Sequence, residues 1–201
     1  MNRCDLVLAS ASPRRRELLA QLGASFSVQP ADIDETVRAG EAAEDYVVRM
    51  AREKAAAVAA AMRGDDWAVL GADTTVVLDG EALGKPRDAS DAVAMLLRLA
   101  ARSHDVFTAI ALHHAGGQHE LLVCTEVDFL PLDRAQCEAY VASGEPMDKA
   151  GAYGIQGLGG AFVSGIRGSY SNVVGLPLCE TWQLLRSRGI ATGLDAPAKG
   201  D

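Results

Sequence analysis

Val69-Leu70-Gly71-Ala72-Asp73-Thr74-Thr75-Val76-Val77-Leu78-Asp79-Gly80-Glu81-Ala82-Leu83-Gly84-Lys85-Pro86-Arg87-Asp88 is the stretch around which the chain is organised. Its first half has strand composition, with Val69, Leu70, Val76, Val77 and Leu78 apolar and two β-branched threonines between them. Gly71, Ala72 and Asp73 interrupt that run with two small residues and a carboxylate. A glycine inside a strand marks close approach of a ligand or another backbone. A carboxylate in an apolar run is costly to bury unless it is paired or holds a metal. Asp79-Gly80 is a hairpin-turn signal, and the returning chain brings Lys85 back toward Asp73. One acid with Lys85 and Arg87 among small residues suits a metal-bound phosphate. A strand-end salt bridge from Asp73 to Lys85 or Arg87 is the plainer reading.

Upstream, Asp5 to Ala9 reads as a strand leading into Ser10-Ala11-Ser12-Pro13-Arg14-Arg15-Arg16. Ser12 is placed as an N-cap with Pro13 at the first helical position and Gly23 closing the helix. Three arginines in a first turn oppose the helix macrodipole. Together with free backbone N–H groups they suit an anion such as phosphate; otherwise they form a solvated turn neutralised by Glu17 and nearby acids. Ser25 to Gln29 is a second strand. Asp32, Asp34 and Glu35 follow in an acidic loop that could offer oxygen ligands to Mg²⁺ or Mn²⁺, or could simply be solvated. A helix over 41–62 carries a core stripe of Val47, Met50, Ala51, Val58 and Met62. Lys54 falls on that stripe, so it either snorkels from the rim or points into a cleft. Asp45, Arg49 and Glu53 are expected as i,i+4 neighbours on its exposed face.

Downstream, Asp88 to Asp91 caps a helix running to about Ala101. His104–His114 and Glu120–Leu130 then make a long hairpin, with His113, His114 and His119 around its tip. Those histidines read as solvated rather than as a metal site. A short helix spans 133–143. The next segment, Gly151 to Gly160, holds five glycines around Gln156, which means backbone near something, or a mobile connector. The Gln156 amide can donate and accept at once, as recognition of a base edge requires. A strand over 161–166, a turn over 167–172 and a last helix ending near Gly189 complete the elements. Residues 191–201 are expected to be a small, polar, disordered tail.

The 201 residues suffice for one large domain or two small lobes. A net charge of −8 argues against broad nucleic-acid or membrane-surface partners, so any anionic ligand needs a local cluster of bases. No apolar run reaches the roughly 20 residues of a membrane span, and the N-terminus lacks the apolar region of a signal peptide. The four cysteines are scattered without a C-x-x-C pair, as in reduced proteins of the cytoplasm.

Five ordered motifs now combine: Leu8-Ala9-Ser10-Ala11-Ser12-Pro13-Arg14-Arg15, Ala51-Arg52-Glu53-Lys54-Ala55, Gly71-Ala72-Asp73-Thr74, Lys85-Pro86-Arg87-Asp88 and Ser169-Tyr170-Ser171-Asn172-Val173-Val174-Gly175-Leu176-Pro177. From about residue 5 to 190 the chain resembles the Maf family, nucleoside triphosphate pyrophosphatases first associated with septum formation. The resemblance implies an α/β fold: a long, mixed, twisted sheet flanked by helices, in one domain over 1–190 whose two lobes surround a central cleft, similar to inosine-triphosphate pyrophosphatases and commonly homodimeric. It implies hydrolysis of a nucleoside triphosphate to its monophosphate and pyrophosphate with a divalent cation, Mg²⁺ or Mn²⁺. Asp73 matches the family's general base and a metal ligand. Ser10, Arg14 and Arg15 match the phosphate-binding loop and helix start, and Lys54 and Lys85 match lysines facing the triphosphate. Glu35 matches an acidic cleft residue and second metal ligand, with Asp34 as the alternative in that register. The stretch from Asp148 to Gly157 resembles the branch acting on dTTP and UTP, for which Arg14, Thr74 and Gln156 fall at specificity positions. A non-catalytic regulator of septum formation and a purine-directed housecleaning pyrophosphatase are the competing functions.

Overall fold

The structure is a computed structural model and describes residues 4–195. Its spine is β3 (Trp67–Leu78), a continuous strand that runs straight through Gly71, Ala72 and Asp73 rather than breaking at them. Asp79 and Gly80 both take positive φ, 53° and 79°, the geometry of a tight hairpin turn, and return the chain as β4 (Glu81–Leu83). β5 (Ser103–His114) and β6 (Gly117–Phe129) form the long hairpin expected of them, and β7 (Val163–Arg167) lies beyond β6. On the other side β1 (Asp5–Leu8) runs parallel to β3 and to β2 (Phe26–Val28). The sheet is therefore mixed and seven-stranded, ordered β2-β1-β3-β5-β6-β7, with β4 on the edge of β3.

Period-two alternation along β3 sends its side chains to opposite faces. Val69 and Val77 pack with Val47, Ala51, Ala55 and Val58 of α2 (Ala43–Ala59), which covers one face. Gly71 lies under that helix: a Cβ there would stand 2.2 Å from the Ala51 carbonyl oxygen and 2.8 Å from the Ala55 nitrogen. The glycine is needed for close approach of another backbone, not of a ligand.

The opposite face is shared by two separate cores. Leu70 and Ala72 pack with α1 (Pro13–Gln21) and α6 (Leu178–Ser187) at one end. Val76 and Leu78 pack with α3 (Ala89–Leu99) and α4 (Arg134–Ala142) at the other. These are the two lobes, joined by one sheet.

Some elements differ from expectation. Ser169 accepts a hydrogen bond from Asn172 N and starts a short helix, α5 (Tyr170–Val174), where a turn was expected. Arg49 is not on an exposed face: it is 4% exposed, with Glu41 at 2.5 Å and Glu53 at 3.4 Å, because α2 lies beneath the 36–41 loop that brings Glu41 over it. Residues 191–195 of the expected disordered tail pack against α1, where Gly193 N donates to the Leu22 carbonyl; residues 196–201 lie outside the described residues. No helix among the described residues is long and apolar enough to cross a membrane.

Candidate active site

β1 lines one edge of β3 as far as Leu70, where Ala9 N still reaches the Leu70 carbonyl, and β4 takes up that edge only from Val76. Residues 71–75 are left between them with no strand on that edge. A cleft of about 820 Å³ opens there, beyond the carboxyl end of parallel strand β1 and between the two lobes. Every site residue expected from the sequence lines it: Ser10, Arg14, Arg15, Glu35, Lys54, Asp73, Thr74, Lys85 and Gln156.

Asp73 points to the α2 side of the sheet. Lys54 meets it there, because the close packing over Gly71 lays that stretch of the helix against the strand. The Lys54 ammonium lies 2.7 Å from Asp73 Oδ1 and 2.8 Å from Glu35 Oε1. Asp73 and Lys54 are each 8% exposed, so Lys54 faces into the cleft instead of snorkelling to the rim. Burial pushes the Glu35 carboxyl up, but the Lys54 hydrogen bond and the charges of Lys54, Lys85 and Arg15 outweigh it and leave the group below its ordinary value. Asp34 instead accepts from the backbone N–H and hydroxyl of Thr36 in its own loop. The carboxylate meeting Lys54 is thus that of Glu35.

Thr74 points to the other face, under α1. Its hydroxyl accepts from an Arg15 Nη at 3.0 Å and contacts Thr108 Oγ1, which donates to the Asn172 carbonyl. The remaining Arg15 donors reach the Gly175 carbonyl at 2.9 Å and Ser10 Oγ at 3.3 Å. All these partners are neutral. Burial pushes the Arg15 guanidinium below its ordinary value, partly countered by the charge of Asp73. A half-buried cation with no paired carboxylate among the described residues suits an incoming anion. Ser10 Oγ accepts from Arg15 and from Ser12 N, which leaves its own proton to donate into the cleft. Arg14, half-buried, reaches Asp148 at 3.3 Å, from the lobe opposite its own. Lys85 is exposed and has no ion pair among the described residues.

Two further features escaped the sequence reading. Tyr46 lines the cleft and donates to the Glu35 carbonyl at 3.1 Å; burial, with Asp73 and Glu35 adding to it, pushes its hydroxyl up to about 12. Its spacing held the signal, since Tyr46, Met50 and Lys54 recur at i, i+4 and i+8 on one helix face. Glu145 and Lys149 also line the cleft, from a stretch whose charges carry no pattern of their own.

The donor set suits a hard divalent cation. Mg²⁺ is held by one or two carboxylates plus substrate phosphates and water, and the structure brings two carboxylates to one positively occupied point, the Lys54 ammonium. Among the described residues no group of three or more His, Cys, Asp or Glu could hold a metal unaided. At the hairpin tip, the His114 and His119 rings stack 5.6 Å apart, far from this cleft in the strand register.

A family profile described as Maf-like protein matches residues 5–188. The dTTP/UTP pyrophosphatase of Myxococcus xanthus is 61% identical over 187 residues, covering 92% of this chain and 93% of its own length. That of Hahella chejuensis is 58% identical, covering 92% of each. A solved structure, the Ham1 protein of Staphylococcus aureus, aligns with 62% of this chain and 71% of its own at 15% identity and a TM-score of 0.42, too slight to bear on the fold. The match runs through every element that builds the cleft, so the chain belongs to the Maf-like protein family.

Proposed function

We propose that this cleft hydrolyses dTTP and UTP to the nucleoside monophosphate and pyrophosphate, the activity that names its relatives in Myxococcus xanthus and Hahella chejuensis. The observation that carries the reading is one buried acid, Asp73, on Lys54, across β3 from the unpaired Arg15 guanidinium. A site for binding alone would have no need of a carboxylate among phosphate-attracting bases. The oxygen of a water forms a bond to phosphorus, the bond bridging the α- and β-phosphates breaks, and pyrophosphate leaves with the electron pair. Asp73 orients that water and accepts its proton. Lys54, 2.7 Å away, holds Asp73 in place. Arg15, Arg14, Lys85 and the Ser10 hydroxyl bind the phosphates and offset the charge moving onto the leaving group. Asp73 and Glu35 are the residues that would hold Mg²⁺ or Mn²⁺. Such a cation, when bound, would neutralise phosphate oxygens. Gln156, Thr74 and Arg14, which line the cleft, are the residues assigned to the choice of a pyrimidine, on the family resemblance. A homodimer in the cytoplasm completes the proposal, on the family resemblance.

The test is product analysis over a panel of nucleoside triphosphates with Mg²⁺, Mn²⁺ or EDTA. Metal-dependent release of pyrophosphate, fastest with dTTP and UTP, is the expected result. A purine preference would overturn the specificity; release of orthophosphate alone, or no turnover by folded protein, would overturn the chemistry.

A further inference from the structure

Gly154, Ile155, exposed Gln156 and Gly157 line the cleft as part of the loop Gly154–Gly159. One carboxylate ties both ends of that loop. Glu145 accepts from Leu158 N at 2.9 Å, Gly159 N at 3.2 Å and the Tyr140 hydroxyl at 2.8 Å. The same Tyr140 hydroxyl accepts from Gly154 N at 3.0 Å, at the other end. Glu145 is itself held by Lys149, whose ammonium donates to the Glu145 carbonyl.

The glycines of the loop are explained by this packing. A Cβ on Gly157 would stand 2.3 Å from a Glu145 carboxylate oxygen, and one on Gly159 would stand 2.6 Å from the Tyr140 hydroxyl. On Gly154 it would stand 2.6 Å from the Lys149 side chain. These glycines let the backbone close on the carboxylate; they do not make a loose connector. Bonds to an ionised acceptor are the stronger kind, and burial, which pushes the Glu145 carboxyl up, is outweighed by these donors so that it stays below its ordinary value.

We propose that Glu145, acting with Tyr140, is a positioning residue for base recognition: it fixes Gly154–Gly159 so that Gln156 is presented to the pyrimidine. This rests on the reading that the loop, through Gln156, contacts the base.

The experiment measures kcat and KM for dTTP and dGTP in Glu145→Gln, Tyr140→Phe, Gln156→Ala and the Glu145→Gln/Gln156→Ala pair, with Tm for each. Glu145→Gln keeps the side chain's shape but loses an acceptor oxygen and the charge. It is expected to narrow the dTTP-to-dGTP ratio of kcat/KM by roughly five- to tenfold, chiefly through KM for dTTP. Tyr140→Phe releases only the Gly154 end and is expected to do the same more weakly. In the double variant the ratio should match that of Gln156→Ala alone. A ratio unchanged in both folded single variants, while Gln156→Ala alters it, overturns the positioning role. If Gln156→Ala leaves the ratio intact, the reading of the base by Gln156 fails separately; a ratio still shifted by Glu145→Gln then upholds the positioning of the loop, and an unshifted one overturns it.

Discussion

Gly71→Ala places a single methyl group where α2 crosses β3. In the present packing that methyl stands 2.2 Å from the Ala51 carbonyl oxygen, a backbone atom that no rotamer change can move. Relief requires helix and strand to separate by close to 1 Å, to about van der Waals contact. Overpacking of this kind costs about 1–3 kcal/mol, which in a chain of this size lowers Tm by roughly 2–12 °C. The functional effect is larger than the stability effect. Lys54 lies on the same turn of α2 as Ala51 and Ala55, and Asp73 lies two residues from Gly71 on the same face. The separation therefore stretches the 2.7 Å bond between them beyond hydrogen-bonding range. Misplacement of a reacting group by 1 Å costs about 100-fold in rate. Steady-state turnover of dTTP, read beside Tm by calorimetry at a temperature where the variant is fully folded, separates the two effects. A folded Gly71→Ala protein with near-normal kcat and Tm would refute the idea that this contact sets the Lys54–Asp73 geometry.

Asp73→Asn is expected to abolish turnover, by a factor of at least about 100, with nucleotide binding by calorimetry largely retained; a fully active variant defeats the assignment of the base. His104 is buried, hydrogen-bonded to the Tyr153 hydroxyl at 2.9 Å, and burial lowers its pKa to about 4 from 6.5, against the pull of Asp128. The unfolded chain therefore takes up the proton first as pH falls, so the stability given by the neutral ring is full above pH 6.5 and is lost toward pH 4. That is about 3 kcal/mol over the window at 1.36 kcal/mol per unit, and His104→Gln should flatten this limb of Tm against pH. An unaltered slope would locate the proton uptake elsewhere.

Local chemistry was legible in the sequence because it acts over short separations. The capped start of α1, the Asp79-Gly80 turn, the β5–β6 hairpin and the Asp88 cap of α3 are each written within a few neighbouring residues, and each is where it was expected. The residues expected at a phosphate, metal or base site all line the cleft, whereas Tyr46, Glu145 and Lys149 line it without having been expected.

The sequence by itself thus determined the α/β class with its long mixed sheet, and most of the charged groups that line the cleft. What it left open turned on partners distant along the chain. Asp34 and Glu35 are equivalent in composition, and only the position of Lys54 on α2 separates them. Arg14 and Arg15 are adjacent, yet one reaches Asp148 across the cleft while the other is tied to Gly175, Ser10 and Thr74. Arg49 reads as a surface residue until the 36–41 loop folds Glu41 over it. The glycines at 71, 157 and 159 signal close approach without saying to what; the answers are a helix, a carboxylate and a phenol. Burial, pairing and steric exclusion depend on which surfaces meet, and tertiary packing alone decided that.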